Sequence, residues 1–284
     1  MSPRIGAYVL TADTTWLAKS LRSYYPLLSA LVIPWPEDGL GWRGQPLPLQ
    51  EVRAAVESVD DRHLLRLVPG RWTDPGRPLS METQQRQAAV DALSPDVDWI
   101  LQTDNDEVLP DPERLLDALA YAEAQGLDAV EWPMRLLFRR THNAVFQIAT
   151  TGEQPSYEYP GPIAVRPGTA LVSARRTHGA FLRPVVDGDD GSLQVARPAL
   201  EGEDRSFTIP PGAAIIHNSW ARSPRQAWAK VTGWGHTSGV RGVVYFAAVW
   251  LPAPITWRLL RNFHPFARDL WPRLVRVPVS PDVE

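Results

Sequence analysis

Trp99-Ile100-Leu101-Gln102-Thr103-Asp104-Asn105-Asp106-Glu107 is a short apolar run that ends abruptly in three acids and an amide. A run of this length with polar bounds reads as a buried strand. Its acids then stand at the strand's C-terminal tip, the edge of an open α/β sheet where ligands bind. Asp104 and Asp106 can converge on one hard cation, Mn2+ or Mg2+, which takes oxygen ligands and keeps positions open for water and phosphate. The same four residues would also suit a solvated turn. Context favours the site, because a strand precedes the acids and a well-signalled helix follows them.

That helix starts at Asp111-Pro112-Glu113, a cap, a proline at the first position and an acid in the first turn. Leu115, Leu116, Leu119 and Ala122 make its buried face, Gly126 stops it, and Ala129–Trp132 resumes as a strand. Upstream, Ser80 is expected to cap a helix from Met81 to Leu93. Ile5–Leu10 is the first strand, and Thr11-Ala12-Asp13 its exit, with Asp13 capping a helix from Thr14 to Tyr25. Leu28–Ile33 and His63–Val68 are further strands, with a helix over Leu49–Ser58 between them. Strand and helix therefore alternate through the first 135 residues. This predicts a three-layer α/β/α sandwich with a mostly parallel mixed sheet.

The pattern changes after Met134. Strand-like pieces at Met134–Arg139, Ala144–Ala149, Ala170–Ala174 and Ser206–Ile209 lie among Gly, Pro and Asp loops, with no helix expected. Ala213–Ile216 is a last buried strand, ending at a second polar tip, His217-Asn218-Ser219-Trp220. Ser223-Pro224-Arg225-Gln226 is a capping box that opens a helix to about Trp234. Residues 1–238 are thus expected to form the α/β domain and residues 239–284 a C-terminal helical appendage. Pro252, Pro254 and Pro265 cut its helices short, which favours a lid packed on the domain. Its interleaved Trp, Phe and Arg would also suit peripheral contact with a membrane surface.

Composition narrows the function classes. A formal charge of −3 gives no attraction to nucleic acid, and the absence of cysteine excludes disulfides and thiolate metal sites. Lysine occurs only at Lys19 and Lys230, so 27 of the 29 basic residues are arginine. No signal-peptide pattern precedes Ile5 and no apolar run reaches membrane-span length, so a cytoplasmic location is expected, with the tail offering a contact to the inner membrane face.

Two further residues join the acidic loop as candidates. His217 could complete a metal site with Asp104 and Asp106; its plainer reading is a histidine bonded to backbone. Arg86, on the helix before the acidic strand, could reach a phosphate near the metal; its plainer reading is a solvated helix face.

These stretches resemble glycosyltransferase family 2 and its relatives of GT-A fold. Arg4–Asp13 looks like the family's first strand and nucleotide-edge loop, and Ala30–Ile33 like its second strand. Gln85-Arg86-Gln87-Ala88-Ala89 resembles its Arg-Asn-x-(small) helix start, with Gln87 for the usual Asn. Trp99 to Glu107 resembles its metal-binding signature, and His217-Asn218-Ser219-Trp220 with Lys230 resembles a closing His-x-Ser-Trp…Lys block. The resemblance spans about Arg4 to His236 and implies a GT-A-like domain that transfers a sugar from a nucleotide sugar to a glycan, lipid-linked or small-molecule acceptor. It implies Asp104, Asp106 and His217 as ligands of Mn2+ or Mg2+, and Thr11, Asp13, Arg86, Asp104, Asn105 and Lys230 around the donor. An inverting enzyme also needs a carboxylate base, for which Glu131 and Glu203 are the candidates. The rival readings are a nucleotidyltransferase, sharing the strand-tip acids, and an inactive GT-A-like domain that binds glycan through its tryptophans.

Overall fold

The computed structural model describes residues 3–233, 240–265 and 267–278. Four parallel strands, β1 (Ile5–Tyr8), β2 (Leu28–Pro36), β3 (Leu65–Gly70) and β4 (Trp99–Leu101), stand in the order β3-β2-β1-β4. Between them run the helices α1 (Leu17–Tyr24), α2 (Leu49–Glu57) and α3 (Pro78–Leu93). The sheet continues past β4 through β10 (Ala164–Val165), β6 (Ala129–Val130), β11 (Phe181–Leu182) and β13 (Glu203–Asp204). Only Ala164–Val165 runs against its neighbours.

Side-chain alternation along the strands sets the layers. Ile5, Ala7, Leu31 and Ile33 meet Leu17 and Leu21 of α1, Val52 and Val56 of α2, and Leu115 and Leu119 of α4 (Pro112–Ala124). Tyr8, Val32 and Ile100 point the other way, onto Ala89, Val90 and Leu93 of α3. Helices cover both faces of a largely parallel sheet, so the expected three-layer sandwich is the architecture present. Asp111 caps α4, its carboxylate accepting the Arg114 N–H at 3.0 Å, and Gly126 ends it with φ +67°.

Local departures have local causes. α3 begins at Pro78, not Met81, because proline at the first position already holds a helical φ; Ser80 therefore lies inside the first turn and caps nothing. Ala170–Ala174 forms no strand. Ser173 makes only an isolated bridge to Arg176, and the chain turns there to bury Arg175. A one-turn helix, α5 (Leu193–Ala196), occupies a stretch expected to be helix-free.

A second sheet leans on the first. Its order is β16 (Arg273–Val277), β8 (Val145–Ala149), β7 (Met134–Arg140), β15 (Ile215–His217) and β5 (Glu107–Val108). β9 (Tyr157–Glu158) also pairs with β7, and β12 (Val185–Val186) pairs with β14 (Thr208–Ile209) in a separate two-stranded ladder. The tail is helical from Val240 to Leu259, apart from a turn at Leu251–Pro252, as expected, and then supplies β16, which pairs residue by residue with β8. Trp250, Phe263 and Trp271 pack with Phe138 and Trp220, and the Trp250 Nε1–H donates to the carbonyls of Phe138 and Trp220, both at 3.1 Å. Outward, Val240, Val244, Leu251, Ile255 and Leu259 stay exposed. Among the described residues, no helix is long and apolar enough to cross a membrane.

His264 sits against this aromatic cluster, its ring 4.3 Å from that of Trp271 and its Nδ1 accepting the Ala267 N–H at 2.8 Å. Burial pushes its pKa from 6.5 down to about 4. The unfolded chain then takes up a proton that the folded chain refuses, so this contribution to stability is present above the ordinary value and is lost as pH falls toward 4. Thermal melts across that window should show a smaller fall in melting temperature for His264→Phe than for the parent. Equal falls would remove His264 as the cause.

Candidate functional site

The acidic loop leaves β4 and enters β5 within a few residues, so it bridges the two sheets. β5 pairs antiparallel with β15, which sets His217 opposite Glu107. The same crossing ties Asn218 to the loop, its N–H donating to the Asp106 carbonyl at 2.8 Å. This pairing brings two polar tips, about 110 residues apart in the chain, to one edge.

Three buried arginines hold the loop. Arg175 grips Glu107 with both prongs of its guanidinium, at 2.9 and 2.8 Å, and donates to the Gln102 carbonyl at 3.1 Å. Glu107 in turn accepts the Asp104 N–H at 3.0 Å. Arg86 donates to Asp104 at 2.8 Å, to Glu82 at 2.9 Å and to the Tyr8 hydroxyl at 3.3 Å. Arg222 donates to Asp106 at 2.6 Å and pairs with Asp13. Burial would raise the Asp104 carboxyl, but the guanidiniums of Arg86 and Arg175 outweigh it and hold it well below the usual carboxylate range. Burial lowers Arg222 to about 10, which leaves it charged at neutral pH.

The expected donor-side residues fall as follows. Asn105 donates to the carbonyls of Leu10 and Asp13, both at 2.8 Å, and so staples the acidic loop to the loop after β1. Asp13 caps a turn by accepting from the N–H and hydroxyl of Thr15, rather than opening a helix at Thr14; α1 starts only at Leu17. Thr11 is buried beside it. Arg86, expected at the donor, has a side chain 4% exposed and paired with Glu82 and Asp104, which places it against the acidic loop. Lys230 lies on α6 (Pro224–Gly233), whose capping box forms as expected, but its side chain is outside the described residues.

The three expected metal ligands are only partly brought together. Asp106 Oδ1 stands 3.5 Å from His217 Nε2, a separation that one small cation with bonds of about 2.1 Å can bridge. The other Asp106 oxygen serves Arg222. Asp104 is held by Arg86 instead, and among the described residues no three His, Asp or Glu side chains form a metal-holding group. The donor chemistry of Asp106 and His217 fits Mn2+ or Mg2+, with water and phosphate as the remaining ligands.

The two base candidates are both held in ion pairs. Glu131 meets Arg183 at 2.6 Å. The Glu203 side chain is shielded from solvent and shared by Arg183, Arg197 and Arg205 at 2.8, 2.9 and 2.5 Å. Burial would raise the Glu203 carboxyl, but these arginines and the Leu200 N–H bring it below its ordinary value. A carboxylate so saturated is a poor proton acceptor. Glu203→Gln should cost roughly 3–5 kcal/mol of stability, the range for breaking a buried ion pair, with turnover per folded molecule unchanged. Paired melting and activity measurements check this, and a turnover loss without a melting shift would restore Glu203 as the base.

Arg175 and Arg222 escaped the sequence reading. Nothing local separates them from the other arginines, and their partners lie 68 and 116 residues away.

No family model and no curated protein matches the chain. Among solved structures it is similar in part to three transferases. 4-Diphosphocytidyl-2C-methyl-D-erythritol synthase from Anaerococcus prevotii is 14% identical over 58% of this chain and 72% of its own, with a TM-score of 0.35. A mannosyltransferase from Pyrobaculum calidifontis, in complex with GDP-Man and Mn2+, is 20% identical over 46% of this chain and 35% of its own, with a TM-score of 0.29. Mannose-1-phosphate geranyltransferase from Thermus thermophilus is 15% identical over 58% of each chain, with a TM-score of 0.31.

Proposed function

We propose that this chain is a divalent-metal-dependent glycosyltransferase that moves a sugar from a nucleotide sugar to a hydroxyl acceptor. The observation that carries the reading is the meeting of Asp106 and His217 beside the C-terminal tip of β4. That edge is where open α/β sheets bind ligands. Asp106 and His217 would hold Mn2+ or Mg2+, which would offset the charge that develops on a departing nucleoside diphosphate. The chain's own residues hold the corner in place. Asn105 ties the loop to the exit of β1, Arg175 locks its far end through Glu107, and Arg222 sets the second oxygen of Asp106.

The test is a thermal-shift panel of UDP, GDP, CDP and dTDP, each with and without Mn2+. A ligand that binds only the folded state raises its apparent stability. One nucleotide that stabilises only with metal supports the reading and names the donor class. The matching nucleotide sugar should then release nucleoside diphosphate; release of pyrophosphate would identify nucleotidyl transfer instead. No metal-linked shift with any nucleotide overturns the reading and leaves the glycan-binding domain.

A further inference from the structure

Next to the acidic loop lies a cleft of about 580 Å³, walled chiefly by Trp16, Arg139, Arg140, His142, Arg222 and Gln226. None of its lining residues is acidic. The surrounding sequence has the same bias: from Arg205 to Arg268 there are eight basic residues and no Asp or Glu, in a chain whose net charge is −3.

The arginines are built in. Arg139 lies 4.0 Å from the Trp250 ring and spends one nitrogen on the carbonyls of Arg140 and Arg222, both at 3.2 Å. Among the described residues, its buried Nε finds no hydrogen-bond partner. Burial lowers its pKa. Arg140 stacks over the Trp16 ring at 4.9 Å and reaches the Asn218 side-chain oxygen at 3.4 Å. A buried guanidinium whose donors are not all satisfied, as at Arg139, is costly, and an incoming anion relieves that cost. Guanidinium forks match the oxygens of phosphate.

Arg222 joins this cleft to the candidate metal corner. It lines the cleft and also binds Asp13 and Asp106. We propose that the cleft is a phosphate site, and that the acceptor is a phosphate-bearing compound rather than a neutral sugar. The anion site stands on the cleft alone; its assignment to an acceptor rests on the transferase reading.

Calorimetric titration with pyrophosphate in EDTA tests the site while metal is withheld. The expected result is saturable binding that weakens roughly tenfold or more in Arg140→Gln, the loss of one charge-assisted contact. Arg139→Gln should weaken it too, but that variant also unpacks Trp250, so Arg140→Gln carries the decision. Arg225→Gln removes an exposed charge outside the cleft lining and should leave binding unchanged. No saturable binding, or equal loss in Arg140→Gln and Arg225→Gln, overturns the proposal. Glycerol 3-phosphate and phosphatidic acid vesicles then separate a free phosphomonoester from a lipid headgroup, and binding of either that Arg140→Gln abolishes supports the site. Nucleotide binding with metal but no pyrophosphate binding would sink this inference alone. The converse result would sink the transferase reading and leave the anion site.

Discussion

Replacing Arg175 by methionine should lower the melting temperature by roughly 10 °C, the largest stability effect expected of any single substitution at the site. Its side chain is 4% exposed and that of its partner Glu107 is fully buried, so removing the guanidinium strands a carboxylate in the interior. Breaking such a pair costs roughly 3–5 kcal/mol, and a chain of this size shifts by roughly 2–4 °C per kcal/mol. The cost should be recovered in large part by adding Glu107→Leu, because two apolar groups leave no buried charge behind. Metal-dependent nucleotide binding should be lost in the double variant, since Glu107 also holds the Asp104 N–H and so shapes the loop. Melts of the single and double variants check this. A single variant that melts with the parent would show that the pair is dispensable.

Asp106→Asn should have the largest effect on chemistry. Asp106 Oδ1 lies 3.5 Å from His217 Nε2. An amide keeps the shape and loses the charge that a hard cation needs. Metal-dependent turnover should fall on the order of 10²–10³-fold, the usual consequence of removing one preorganised electrostatic partner. Stability should fall less than in Arg175→Met, because Arg222 keeps Asp13 as a counter-charge. The measurements are the Mn2+-linked shift with the chosen nucleotide, then turnover. A variant that binds nucleotide with Mn2+ as the parent does would end the metal assignment. His217→Ala should likewise weaken metal dependence without unfolding the chain; a collapse in melting temperature would mark it as a structural histidine.

The amino-acid sequence by itself determined what short-range physics decides. The alternation of strand and helix through the first half, the Asp111 cap, the Gly126 stop and the capping box of Ser223 and Gln226 all depend on residues within a few positions of one another. Apolar periodicity placed the two helix layers, and the run from Trp99 to Leu101 ending in acids marked the strand tip where the candidate site lies. The tail shows where that reading stops. Its helices were legible, but Arg273–Val277 became a strand only because β8 offered an open edge to pair with.

Tertiary structure alone decided the site. Register between β5 and β15 places His217 beside Asp106, and no local pattern encodes a pairing across that distance. It also sorted the arginines. Arg86, Arg175 and Arg222 hold the acidic loop, Arg183, Arg197 and Arg205 surround Glu203, and Arg139 and Arg140 line an open cleft. These arginines are the same residue with the same intrinsic chemistry. What separates them is which groups remote strands bring within reach, and that is fixed by packing rather than by neighbours in the chain.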